Sequence, residues 1–123
     1  MSRQMQYEEI TGTTDASGDA TVYSQPITGE IYSIVTDIDA LGTTADITIT
    51  GDETGIAVVT QTNSNTNGTL TPRTATHNTS AAAALYASGG TAVNDRIPLA
   101  EQMKVVVAQG GDTKAFTLYA YWR

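Results

Sequence analysis

Cysteine is absent from the 123 residues, so neither a disulfide framework nor a thiolate metal site can form. Basic residues are few: six Lys and Arg stand against 13 Asp and Glu, for a net charge of −7. Arg3, Arg73, Arg96, Lys104, Lys114 and Arg123 are scattered singly along the chain, whereas a nonspecific nucleic-acid binder neutralises phosphates with clustered cations. That balance argues against DNA or RNA as a partner and for a soluble, self-repelling surface. Long apolar runs are missing as well. The opening MSRQMQYEEI lacks the apolar stretch of a secretory leader, and no run approaches the ~20 residues that a membrane helix needs. The expectation is a chain made in the cytoplasm that binds no membrane.

Thr, Ser, Asn and Gly stand where charge is short. Thr fits a pleated surface through its branched Cβ, and the other three favour turns, so the composition leans towards strands. Apolar alternation of period two agrees. Phe116, Leu118, Ala120 and Trp122 fall on one face of an extended segment, with Thr117, Tyr119, Tyr121 and Arg123 on the other. Residues 103–108 are apolar on both faces apart from Lys104, as in a central strand, and Gln109-Gly110-Gly111-Asp112 predicts a turn joining the two as a hairpin. Ala45, Ile47 and Ile49 give a strand that turns through residues 51–55 into residues 56–60, a second hairpin. Residues 30–38 read as a strand with Tyr32, Ile34 and Ile38 on one face and Ile31 and Val35 on the other. A shorter strand over residues 20–24 follows the turn signal at residues 15–19, and residues 6–11 suit an edge.

Residues 61–95 depart from this pattern. They are polar and rich in turn formers, with Ser80-Ala81-Ala82-Ala83-Ala84-Leu85-Tyr86 able to form one or two helical turns at most, and a brief strand at residues 95–99 interrupted by Pro98. Such a long excursion from a sheet points to function or disorder. Seven or eight short strands with regular turns predict one all-β domain over residues 1–123, an antiparallel sandwich or jelly roll, with residues 1–12 as a candidate N-terminal arm.

Catalytic chemistry finds little to work with. His77 is the one histidine and has no sequence neighbours for a metal or a nucleophile. Asp37 and Asp39 share a strand face and form the best carboxylate pair for a glycosidase or a cation, but the Gly and distal Glu of a calcium loop are missing. Gly110-Gly111 precedes a strand, so it offers no helix N-terminus to a phosphate, and no Gly-x-Ser-x-Gly elbow is present. The expectation is no enzyme, no cofactor and no metal. Aromatic side chains are the alternative. Tyr119 and Tyr121 either stay exposed as a partner-binding pair or pack on a second layer.

Four segments carry a resemblance: Thr28-Gly29-Glu30-Ile31, Asp46-Ile47-Thr48-Ile49-Thr50, residues 70–77 with Pro72-Arg73-x-Ala75-Thr76-His77, and residues 103–111 with Lys104-Val105-Val106-Val107-Ala108-Gln109-Gly110-Gly111. Together they resemble a group of small virion proteins encoded by tailed phages near their capsid genes. The resemblance spans most of the chain from residue 28 onward and implies a head decoration (cement) protein without enzymatic activity. It further implies a place on the outer capsid surface, the major capsid protein as partner, and homo-oligomers, with a trimer favoured. Candidate partner-binding residues are Tyr7, Arg73, His77, Tyr86, Tyr119 and Tyr121. The competing expectations are a carbohydrate- or receptor-binding module, a head–tail or neck component, and a small glycosidase using Asp37 and Asp39.

Overall fold

Alternation of inward and outward side chains divides the chain between one core and two outer sheet faces. The computed structural model describes residues 4–123. Its strands are β1 Gln6–Thr13, β2 Ala20–Tyr23, β3 Ile27–Asp37, β4 Asp46–Gly51, β5 Ala57–Gln61, β6 Gly68–Leu70, β7 Thr74–Ala75, β8 Asn94–Asp95, β9 Ile97–Glu101, β10 Met103–Ala108 and β11 Ala115–Trp122. No described residue is helical. Sheet A runs β1-β11-β3, with β6 and β9 sharing the free flank of β3: β6 lies against residues 34–36 and β9 against residues 27–31. Sheet B runs β2-β10-β4-β5. Ile31, Ile34, Leu118 and Trp122 from A meet Ile47, Ile49, Val105 and Val107 from B in a single buried cluster. The expected all-β sandwich is the fold observed, and each fully buried aliphatic side chain contributes ~1.5–3 kcal/mol to it.

The β4–β5 hairpin forms as its alternation predicts. The other expected hairpin does not: β10 lies in sheet B and β11 in sheet A, so their link is an arch between layers. Polar groups of the link turn elsewhere. Gly110 N–H donates to the Gly18 carbonyl (2.8 Å), and Gly42 N–H donates to the Gly110 carbonyl (3.0 Å). The buried Thr14 hydroxyl donates to the Gly111 carbonyl (2.6 Å) and accepts from Lys114 N–H (2.8 Å). The β1–β2 and β10–β11 links are thereby tied together, which satisfies backbone groups that a hairpin would have paired along its own strands.

Three further details differ from the sequence reading. Trp122 pairs with Ile31 and Tyr121 with Ser33, so Tyr32 is an extra residue, a β-bulge. The bulge resets the phase of β3, and Ile31, Ile34 and Ile38 are all buried while Tyr32 and Val35 are half-buried. At the N-terminal end β1 is the expected edge strand, so from Gln6 on the candidate arm is built into sheet A; residues 1–3 lie outside the described residues. Pro98 sits inside β9, on the flank of the sheet, where a missing N–H costs least.

Because β6 belongs to sheet A, the excursion shrinks to residues 71–96, leaving the flank of β3 at β6 and rejoining it at β9. Three backbone hydrogen bonds close a ring at its centre: Thr76 N–H to Val93 O (2.8 Å), Val93 N–H to Ala84 O (2.8 Å) and Ala84 N–H to Thr76 O (2.7 Å). The β7–β8 pair and two bridges, His77 with Ala83 and Leu85 with Ala92, surround the ring. No helical turn forms over residues 80–86. Asn78 Oδ1 accepts from the N–H groups of Ser80 and Ala82, and Ala81 adopts a φ of 61°, so side-chain capping of a tight turn outcompetes the helix propensity of alanine.

Candidate functional site

The outer face of sheet A gathers side chains that lie far apart in sequence. Register places Tyr7 opposite Tyr121, Glu9 opposite Tyr119, and Tyr119 opposite Val35. The Tyr7 ring lies 6.2 Å from that of Tyr119, nearly parallel at 10°, and 5.3 Å from that of Tyr121, tilted by 42°. Tyr7 is 51 % exposed, and Tyr119 and Tyr121, both in contact with its ring, are half-buried. No second layer covers the pair within the described chain, so of the two fates open from sequence the packing on a second layer is not the one observed. Loss of water around Tyr7, then the Glu9 carboxylate, then Tyr121 and Tyr119, push its hydroxyl above the ordinary value of 10.0.

Beside the tyrosines, the bulge presents Tyr32. The Arg96 guanidinium carbon lies 3.9 Å from its ring centroid and that of Arg123 lies 5.1 Å away, both within cation–π range. Arg123 Nη2 donates to the Tyr32 hydroxyl (2.7 Å), and its backbone is fixed by reciprocal bonds with Glu30 (2.9 and 3.0 Å). Arg73 Nη1 donates to the carbonyls of Pro72 (2.8 Å) and Tyr32 (3.5 Å). Half of the six basic residues therefore meet at one residue, Arg96 and Arg123 at the Tyr32 ring and Arg73 at its backbone carbonyl, although the sequence scatters them.

Of the six candidates from sequence, Tyr7, Tyr119 and Tyr121 come together, and Arg73 lies instead at the bulge residue Tyr32. His77 and Tyr86 do not: they lie on the excursion, where Tyr86 is 76 % exposed. Tyr32, Arg96 and Arg123 are the residues that sequence reasoning missed. Arg123 did leave a signal, since strict alternation puts it on the face of Tyr119 and Tyr121. Asp37 and Asp39 are both exposed, with no third acid or histidine beside them to complete a metal site among the described residues.

A groove of about 280 Å³ lined by Pro26, Asp52, Glu53, Ala100, Glu101 and Gln102 lies elsewhere on the molecule. Its central acid is already engaged. Glu101 accepts from the N–H groups of Glu53 (2.5 Å) and Thr54 (2.9 Å) and from the Thr54 hydroxyl (2.5 Å). Those bonds, the Thr54 hydroxyl first, hold its carboxyl below the ordinary value of 4.5 against the opposing effect of desolvation. Glu101 thus fastens β9 of sheet A to the β4–β5 turn of sheet B. No protein-family model matches the chain, and no curated protein does.

Proposed function

We propose that this chain is a structural virion protein without catalytic activity, a decoration (cement) subunit that docks on the outer surface of a tailed-phage head. The observation that carries the reading is the Tyr7, Tyr119 and Tyr121 cluster on the outer face of sheet A. Tyrosine combines apolar area with a polar hydroxyl at a low entropic cost, and Tyr and Arg concentrate at the energetic centres of protein interfaces. Mounted on adjacent strands, the three rings are held ready for a partner rather than ordered by it. The excursion supports the same reading: Leu85 is 44 % and Tyr86 76 % exposed, on a knit projection able to reach a neighbouring subunit.

In this reading the partner is the major capsid protein, and homo-oligomers, trimers foremost, sit across the joints between capsomers. Many copies favour the assembled shell by mass action, since each binds the joined state and not the separated subunits. The protein is made in the host cytoplasm and joins the particle from outside.

Mixing the purified protein with undecorated, expanded heads tests the reading. Stoichiometric uptake and a raised shell melting temperature are expected, and a Tyr119→Ser, Tyr121→Ser double variant should bind about 30-fold more weakly, the scale of an interface hot spot. Failure of every capsid form to take up the protein, or saturable binding to glycans in its place, ends it.

A further inference from the structure

Two guanidinium groups against one ring, with a third on the carbonyl of the same residue, are unusual on a chain of net charge −7, and their surroundings leave them unneutralised. Among the described residues Arg73, Arg96 and Arg123 make no ion pair: their contacts are carbonyl oxygens, the Tyr32 hydroxyl and the Tyr32 ring. Arg96 is half-buried, and its Nε is closed off from solvent with no hydrogen-bond acceptor. A guanidinium is a fork of donors matched to a carboxylate, and one left short of acceptors in a partly dry setting gains most from an incoming anion. The ring of Tyr32 holds two of the forks in place, so little side-chain freedom remains to be lost on binding.

We infer that Arg73, Arg96 and Arg123, arranged around Tyr32, form a carboxylate-binding site for a short acidic segment of a protein partner. The inference deepens the docking reading and rests on it only for which protein supplies that segment. Charge decides the class of occupant. The site is a local cationic island on an acidic molecule, so a few aspartates or glutamates are attracted, whereas the long phosphate backbone of a nucleic acid would meet net repulsion beyond the island. The adjoining tyrosine cluster offers apolar cover for whatever flanks those acids.

The test titrates the full chain with an uncharged-terminus octapeptide of Asp and Glu, following Tyr32 ring and Arg96 Nε–H resonances. Saturable shifts confined to Tyr32 and the three arginines are expected, absent for the matching Asn and Gln peptide. Arg123→Gln, an exposed position, should weaken peptide binding at least 10-fold; Arg96→Lys, which keeps the charge but loses the fork, should weaken it several-fold; Lys104→Gln, the same charge change on sheet B, should leave it unchanged. Equal weakening by Lys104→Gln, equal binding of the neutral peptide, or saturation by inorganic phosphate or an oligonucleotide but not by the peptide would overturn the inference. Capsid uptake by the same variants separates the two claims. Undiminished uptake by Arg123→Gln together with failed peptide binding removes the carboxylate site alone. Peptide binding without uptake by any capsid removes the docking reading alone.

Discussion

Glu101 shows how one side chain can join two layers. Its carboxylate lies directly over Gly51, where a Cβ would come within 2.7 Å of Glu101 Cδ, and from there it receives the donors of the β4–β5 turn. Because its folded-state pKa is depressed, the stabilisation is complete above the ordinary value of 4.5 and is lost as pH falls through the lower folded-state value. Thermal melting of the wild type should therefore decline more steeply on acidification than melting of Glu101→Gln; parallel curves would show that the carboxylate contributes nothing through its charge. Gly18 is a second decisive position, with φ at 83° and the Gly111 nitrogen 2.8 Å from where a Cβ would stand. Gly18→Ala should cost about 1–3 kcal/mol in urea unfolding, because backbone cannot yield as a flexible side chain does. Sequence marked residues 15–19 as a turn but gave no sign that its carbonyl would receive Gly110 N–H from nearly a hundred residues away.

Strands were legible as elements because a one-residue slip would carry a whole apolar set into water. Partners were less so. Alternation records which side chains point inward but not which neighbour supplies the hydrogen bonds, and so β10 and β11 read as a hairpin when they belong to different sheets. The bulge at Tyr32 was equally hidden, since an extra residue changes the phase without changing the composition. Its concealment is also why the arginine site escaped notice while the tyrosines of β11 did not. Elements differ in what they bear. Trp122, 4 % exposed at the end of β11, should cost about 3–5 kcal/mol as Trp122→Ala. Tyr86→Ser, on the excursion, should stay within about 0.5 kcal/mol of the wild type. Comparable losses from both in urea unfolding would mean that the excursion is part of the cooperative core.

For the whole molecule, the long-range pairing of β1 with β11 sets the folding problem. Gln6 pairs with Trp122, so sheet A cannot close until nearly the entire chain has been gathered. Topologies dominated by such pairings refold in about milliseconds to seconds, and stopped-flow Trp122 fluorescence should fall in that range rather than in microseconds. A sandwich could be foreseen from many short alternating strands. The outer face on which a partner would sit could be foreseen only in part, because surface chemistry is assembled by register, and register is a property of the folded whole.

The excursion leaves and rejoins β3 at neighbouring points of one flank, which has a practical corollary. Closing a loop whose ends are already juxtaposed grows costlier only slowly, by about 0.6 kcal/mol for each doubling of length. A foreign epitope spliced between Ser88 and Gly89 would therefore hang outside the sandwich at little expense in stability, which makes the excursion a ready graft point for peptide display.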